Sequence, residues 1–298
     1  NGVGISAGDR YSDCQGHELG RSYAPRIAAA PDSPSPHHLE IISMPNRLKL
    51  VALPDIPLVH PGDNLTDLIA AGLERAGEEL QDGDVLVIAQ KIISKSEGRY
   101  ADLADVKPSA RAIELGKKTD KDPRMVELIL SESREVLRYR PGVLIVAHRL
   151  GYVLANAGID SSNVAQQNDG QTVLLLPLDP DGSCNTLRAN MGKRFGKNVA
   201  IIISDSVGRA WRVGTVGIAL GAAGLESVLD LRGQEDLFGR PLAVSIVGMG
   251  DELAAAASIL QGQGNEGLPV VLIRGVDSSG MQGDGSTLVR DKEEDLFR

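Results

Sequence analysis

The chain has 298 residues, enough to bury a substantial core in one large domain or two. Its formal net charge is −9 and aromatic residues make up only 3%, which argues against general nucleic-acid binding. No apolar run approaches the ~20 residues that a membrane helix needs. The two cysteines are too few for a disulfide framework or a Cys-rich zinc site. We therefore expect a cytoplasmic protein without nucleic-acid or membrane partners, whose phosphate sites use local cations or metal.

Residues 1–43 differ in composition from the rest of the chain. They mix Gly, Ser, Pro and His without a helical or strand period, which predicts a poorly ordered extension without a catalytic role. A catalytic domain is predicted over 44–298.

Strands and helices are intermixed in the predicted domain without a regular βαβ count. Strands are predicted at 48–53, 85–94, 143–147, 152–155, 173–176, 199–203, 241–248 and 269–274. Helices are predicted at 65–77, 109–118, 123–137 and 251–261, with a further helix after the DPDGS turn that Asp181 or Ser183 caps. This pattern predicts an α+β fold with mixed sheets.

Two glycine motifs do not indicate a dinucleotide site. The GxGxxG pattern at 262–267 follows a predicted helix and precedes a predicted strand, the reverse of the order that a Rossmann site requires. The strand-to-helix turn at Gly248 and Gly250 has Leu253 in place of the third glycine, and GxxxxGK[ST] does not occur. The fold is therefore predicted to be neither Rossmann nor P-loop.

The stretch NVAIIISDSVGRAWRVG, at 198–214, concentrates the chemistry. An apolar, mostly β-branched run predicts a buried strand that ends at Ser204. Asp205, exposed just beyond it and flanked by hydroxyls, suits a metal ion, and Arg209 and Arg212 suit a phosphate or developing charge. The alternative is a turn cap with solvated arginines.

Seven segments in order carry a resemblance to a known family. They are LPDI (53–56), QKIISKSEGR (90–99), AGIDSSNV (157–164), LPLDPDGS (176–183), ISDSVGRAWRVG (203–214), DLFGR (236–240) and QGQGNEGLPVVLIRG (261–275). Together they resemble the coenzyme F420-0:L-glutamate ligase family over about 48–275. The resemblance implies a two-lobed, F420 ligase-like fold and addition of L-glutamate to F420-0, with GTP converted to GDP and phosphate. It also implies two Mn²⁺ or Mg²⁺ ions, K⁺ and a homodimer.

The resemblance also assigns residues. Asp160 and Asp205 are implied as ligands of one metal, and Ser206 and Gln263 as helping to hold a second. The implied nucleotide contacts are Leu53, Pro54, Asp55, Ile56, Gln90, Lys95, Asn163 and Gly262. For single residues other interpretations stay open, such as an Asx turn at Asp160 or solvated charges at Lys91 and Lys95. For the protein, the alternatives are another metal-dependent phosphotransferase or nucleotide hydrolase, or a non-catalytic nucleotide-binding protein.

Overall fold

A computed structural model describes residues 47–164, 171–276 and 283–297. The predicted extension at 1–43 and the start of the predicted domain at Met44 lie outside the described residues. None of the helices in the described part of the chain is both long and apolar enough to cross a membrane.

The described strands and helices have the following bounds. The strands are β1 (Lys49–Ala52), β2 (Val85–Ala89), β3 (Tyr100–Asp102), β4 (Ser133–Arg140), β5 (Val143–His148), β6 (Val153–Ala155), β7 (Thr172–Leu174), β8 (Ala200–Gly208), β9 (Thr215–Ala223), β10 (Leu229–Asp230), β11 (Ile246–Val247) and β12 (Val270–Arg274). The helices are α1 (Leu65–Ala76), α2 (Gln90–Ser96), α3 (Ala110–Thr119), α4 (Pro123–Ser131), α5 (Pro180–Phe195) and α6 (Met249–Gln261).

A five-stranded mixed sheet, in the order β1-β12-β2-β8-β9, supports the molecule's main core. Within it β2 and β8 pair in parallel, and the other neighbours pair antiparallel. Successive side chains of β8 enter opposite cores, because a strand alternates its faces. Ile201 and Ile203 join the core that contains α1 and α5, and Ala200 and Ile202 join the one that contains α6. Burial of each of these isoleucine side chains stabilises the fold by about 1.5–3 kcal/mol, so the central strands contribute much of the stability of the domain.

A separate core lies between α3, α4 and the three-stranded antiparallel sheet β4-β5-β6. Val126 and Ile129 of α4 are fully buried there against Leu144 and Val146 of β5. The mixture of helices with mixed and antiparallel sheets confirms the predicted α+β class.

Three predicted elements are wrong at their ends, the first because a short apolar run does not distinguish helix from strand. The predicted strand 85–94 stops at Ala89, and a helix begins at once with Gln90, where Ser94 Oγ donates to Gln90 Oε1 at 2.9 Å. The predicted helix 123–137 stops at Ser131, because the next residues pair with β5. The predicted strand 241–248 is reduced to Ile246–Val247.

Two further details differ from the prediction. The cap of α5 is Asp179, whose side chain accepts from Gly182 N, and Pro180 takes the first helical position. Strand β8 does not end at Ser204 but runs to Gly208, since β9 pairs with it from Ile201 to Gly208. Asp205 therefore lies within a strand rather than in an exposed turn.

Candidate active site

One cavity of about 730 Å³ brings together segments from across the chain. Its walls come from the loop before α1, the start of α2, the chain at 163–164, the middle of β8 and the end of α6 with the loop that follows. The residues from the predicted site that line it are Ile56, Gln90, Lys95, Asn163, Asp205, Ser206, Gly262 and Gln263. The glycine motif at 262–267 thus borders the cavity although its context is not that of a Rossmann turn.

Asp160 is held by hydrogen bonds on both carboxylate oxygens. Oδ1 accepts from Ser162 N at 2.7 Å, and Oδ2 accepts from Ser162 Oγ at 2.8 Å. Lys91 Nζ lies 2.7 Å from the same Oδ2. Burial acts to raise the pKa of Asp160, but the hydrogen bonds from Lys91 and Ser162 outweigh it and hold the pKa below its ordinary value. Asp160 is therefore ionised at neutral pH.

Asp205 has a different environment. It is half-buried in β8, and its Oδ1 accepts from Ser206 N at 2.8 Å. Burial raises the pKa of Asp205 to about 6, and the negative charge of Asp160 adds to the rise, while Ser206 N–H and Lys91 oppose it. The charge of Asp160 therefore acts on Asp205, and the ammonium group of Lys91, which pairs with Asp160, acts on both carboxylates.

A divalent cation fits this donor set. Two carboxylates and the hydroxyl of Ser206 are hard oxygen ligands, which Mg²⁺ and Mn²⁺ prefer. Among the described residues, no group of three or more His, Cys, Asp or Glu side chains is placed to hold a metal ion. A site with few protein ligands is nevertheless typical of Mg²⁺, which takes one or two carboxylates and completes its shell with water and substrate phosphates.

Lys95 and Asn163 join two walls of the cavity. Lys95 Nζ donates to Asn163 O at 2.7 Å, and Asn163 Nδ2 donates to Gly264 O at 3.0 Å. Asn163 has a φ of 55°, a left-handed conformation that Asn tolerates better than most residues. Burial lowers the pKa of Lys95, and the neighbouring charge of Lys91 lowers it further. The chain at 163 and the glycine loop therefore meet over the cavity, with a buried amine beneath them.

Other predicted site residues lie elsewhere. Leu53 is fully buried in the main core, and Arg75 holds the carbonyl groups of Pro54 and Asp55 at 3.3 and 2.8 Å. Among the described residues, the lining of the cavity does not include Leu53, Pro54 or Asp55.

The two predicted phosphate-binding arginines also lie away from the wall. Arg209 and Arg212 are exposed in the loop between β8 and β9, and Arg209 Nη1 donates to Gly214 O at 3.2 Å. Neither arginine belongs to the cavity lining of the described chain. Gln90 does line it, but the residue is 2% exposed and its Oε1 is occupied by Ser94.

The comparison with known proteins decides the family. The family profile described as F420-0:Gamma-glutamyl ligase matches residues 55–275. The chain belongs to this family. The matched range contains both carboxylates and the glycine loop, so the residues that converge on the cavity all lie inside it.

Full-length relatives agree with the family match. The Coenzyme F420:L-glutamate ligase of Methanothermobacter thermautotrophicus is 44% identical over 253 residues, 84% of this chain and 99% of that protein. The protein of the same name from Methanocaldococcus jannaschii is 41% identical over 260 residues, 87% of this chain and 100% of its own. The protein of the same name from Archaeoglobus fulgidus is 40% identical over 252 residues, which cover 85% of this chain and 97% of that protein. The predicted resemblance is thereby confirmed.

In this member of the F420-0:Gamma-glutamyl ligase family, sequence reasoning missed Lys91 and Ser162 as site residues. The strand predicted over 85–94 makes Lys91 a charge near a strand end, but α2 places it one turn before Lys95, on the same side of the helix. A helical assignment of QKIISKS would have predicted that both lysines point the same way. Gln261 was also missed: its Oε1 faces Ser204 Oγ at 3.4 Å, which connects α6 to β8 beside Asp205.

Proposed function

We propose that this chain is a GTP-dependent ligase that joins L-glutamate to the carboxylate of coenzyme F420-0, extends the γ-glutamyl tail, and forms GDP and phosphate. One observation carries the proposal: in a chain of this family, Asp205, two lysines and a glycine loop line one cavity, and one of these lysines, Lys91, pairs with Asp160. The names of the full-length relatives support F420 and glutamate as substrates.

The reaction needs activation because a carboxylate is a poor electrophile. Transfer of the γ-phosphoryl group to the F420-0 carboxylate gives an acyl phosphate and GDP. The glutamate amine then attacks the acyl carbon, phosphate leaves and an amide forms. Lys95, at the cavity wall, is placed to bind phosphate oxygens, and the contact between Asn163 and Gly264 partly closes the cavity against water.

Asp160 and Asp205 would hold one divalent ion, and Ser206 with Gln263 would help to hold a second. A bound Mn²⁺ or Mg²⁺ ion supplies positive charge to the phosphate oxygens as the phosphoryl group is transferred. K⁺ is proposed as a further requirement, on the family resemblance. A cytoplasmic location belongs to the same proposal.

The proposed assembly is a homodimer. Large apolar side chains are exposed near the β8–β9 loop and in the chain between β10 and β11: Trp211 (88%), Val213 (102%), Leu237 (99%) and Phe238 (81%). Side chains this exposed are typical of an interaction surface. A second copy of the chain would cover them, and analytical ultracentrifugation tests this by the mass in solution.

The function is tested with purified protein, GTP, Mn²⁺ and F420-0, with and without L-glutamate. We expect GDP release that depends on glutamate and a product heavier by one or more glutamyl residues by mass spectrometry. GDP release without glutamate dependence would indicate a phosphotransferase or hydrolase instead. Bound but unconverted GTP would indicate a non-catalytic nucleotide-binding protein.

A further inference from the structure

Lys91 forms an ion pair with Asp160, one of the two carboxylates of the candidate site. Its Nζ lies 2.7 Å from Asp160 Oδ2 and donates to Ser162 Oγ at 2.7 Å. The Lys91 side chain is 25% exposed, so this ion pair is partly shielded from water. Its charge also acts on Asp205, the second carboxylate. One ammonium group therefore serves two carboxylates.

The contacts of Asp160 leave little room for a metal ion. Ser162 N occupies Oδ1, while Lys91 and Ser162 Oγ share Oδ2. Oδ2 therefore already accepts two hydrogen bonds, and a cation that ligates this oxygen must displace Lys91 or Ser162 Oγ. Lys91 is the one that carries a charge, and two cations competing for the same oxygen repel each other. The Lys91–Asp160 ion pair thus competes with metal binding at Asp160, through the shared oxygen Oδ2 and through charge repulsion.

The Lys91 side chain can also bind an anion in the cavity. Its side chain lines the cavity, on the same side of α2 as Lys95. Both amines can meet an anion that enters the cavity, but Lys91 is the one that leaves a carboxylate to do so, because Lys95 Nζ donates to the carbonyl of Asn163. A phosphate group there would stabilise the displaced ammonium and, at the same time, supply further ligands to the metal.

We propose that Lys91 is the resident counter-cation of Asp160 and Asp205, and that it exchanges with the divalent cation when a polyphosphate enters the cavity. This rests on the proposed function for the identity of the metal and the nucleotide. Lys91 acts as a positioning residue that couples the two binding events. Without nucleotide it weakens metal binding, and with nucleotide this penalty disappears.

The test is Mn²⁺ binding rather than turnover. Free Mn²⁺ is measured by electron paramagnetic resonance as MnCl₂ is titrated into the protein, with and without a non-hydrolysable GTP analogue. Lys91→Met removes the competing charge, so we expect about tenfold tighter Mn²⁺ binding without nucleotide, the size of effect that one adjacent charge commonly has. The gain in Mn²⁺ affinity that the analogue brings should shrink by a similar factor.

Two variants serve as controls. Lys91→Arg keeps the charge and should bind Mn²⁺ as the unsubstituted protein does. Lys118→Met removes an ammonium from a surface ion pair with Glu114, far along the chain on α3, and should change neither titration. Thermal melting in EDTA verifies that each variant is folded.

The outcomes separate the two proposals. If the unsubstituted protein binds Mn²⁺ but Lys91→Met binds it equally or more weakly without nucleotide, the counter-cation proposal is wrong and the proposed function stands. If the unsubstituted protein binds no Mn²⁺ even with the nucleotide analogue, the metal site of the proposed function is wrong, and the Lys91 proposal is wrong with it. Equal tightening in Lys91→Arg and Lys91→Met would also overturn the proposal, because charge would not be the cause.

Discussion

Replacement of Asp205 by Asn should stabilise the protein in the absence of metal and remove nearly all of its metal-dependent activity. The carboxylate lies inside β8, and burial raises its pKa from 3.8 to about 6. A raised pKa in an acid means that its ionised form is less stable in the folded protein than in the unfolded chain. The resulting loss in the free energy of unfolding is absent below about pH 4, grows as the pH rises, and is complete above pH 6. Asn avoids it while keeping nearly the same shape.

The magnitude follows from the pKa. Each unit corresponds to about 1.4 kcal/mol, so a rise of about two units sets an upper value of about 3 kcal/mol. Partial exposure of Asp205 reduces this, and we expect Asp205→Asn to gain about 1–3 kcal/mol at pH 7.5 in EDTA. For a domain of this size the melting temperature should rise by roughly 3–10 °C. The difference from the unsubstituted protein should vanish at pH 4.

The activity should change in the opposite direction. If Asp205 ligates the metal, loss of its charge should lower the Mn²⁺-dependent release of GDP, with F420-0 and glutamate present, by about 10²–10³-fold. A purely structural Asp205 would be replaced by Asn without loss of turnover, because Asn has nearly the same shape and its amide oxygen can still accept from Ser206 N. Near-normal turnover in Asp205→Asn would refute its role as a metal ligand. An unchanged melting temperature at pH 7.5 would refute the argument from burial.

Three further predictions can be tested separately. A chain that begins at Met44 should have the melting temperature and the GTP turnover of the whole chain. The reason is that the relatives align over 97–100% of their own lengths but cover only 84–87% of this chain. Loss of folding or of turnover would contradict the prediction. Glu132, beside His148, Arg149 and Arg99, has a pKa lowered to about 2, so its stabilisation is full above about pH 4.5 and lost as pH falls towards 2. Glu132→Gln should cost about 2 kcal/mol at pH 7 in urea unfolding, after allowance for solvent screening, and nothing near pH 2; an equal cost at both would contradict the argument. Asn163→Gly keeps the left-handed backbone but loses the amide contact to Gly264, and should weaken binding of a GTP analogue by about three- to tenfold in calorimetry, whereas unchanged affinity would show that the contact does not matter.

The central strands could be predicted because their signal is local. The runs at 85–89, 200–203 and 270–273 are continuous, apolar and rich in β-branched residues, and each is buried on both faces. The residues of β4 gave no such signal. They are mostly polar or charged. They form a strand because their backbone pairs with β5, and this pairing replaces the helix that the sequence predicts. Pairing of this kind is set by the tertiary structure and not by local propensity.

The site could be predicted in part for a similar reason. Motifs identified Asp160, Asp205, Lys95 and Asn163, and the fold places them at one cavity or beside it. The direction of a side chain cannot be read from a motif, however. Arg209 follows Asp205 by only four residues, yet it lies past the exposed end of β8 and is not among the described residues that line the cavity.

A single irregularity in pairing shows why the position of Asp205 needed the structure. Opposite the step from Ile203 to Ser204, the partner residue on β9 changes from Gly221 to Ala219, so Leu220 is an extra residue. The carbonyl of Leu220 accepts a hydrogen bond from Tyr152 Oη, which satisfies the group that the bulge leaves out of the ladder. The residue that compensates the bulge thus comes from the β5–β6 turn, some 50 residues before Asp205.

The parallel pairing of β2 with β8 explains the rest of the arrangement. Parallel neighbours end at the same edge of a sheet, and here Ala89 lies opposite Ser204. The next residue of one strand starts the helix that carries Lys91, and the next residue of the other is Asp205. An antiparallel pairing would have placed the two charges at opposite ends of the sheet. The meeting of lysine and carboxylate is therefore a consequence of strand direction, a property that two apolar runs more than a hundred residues apart do not express in their sequences.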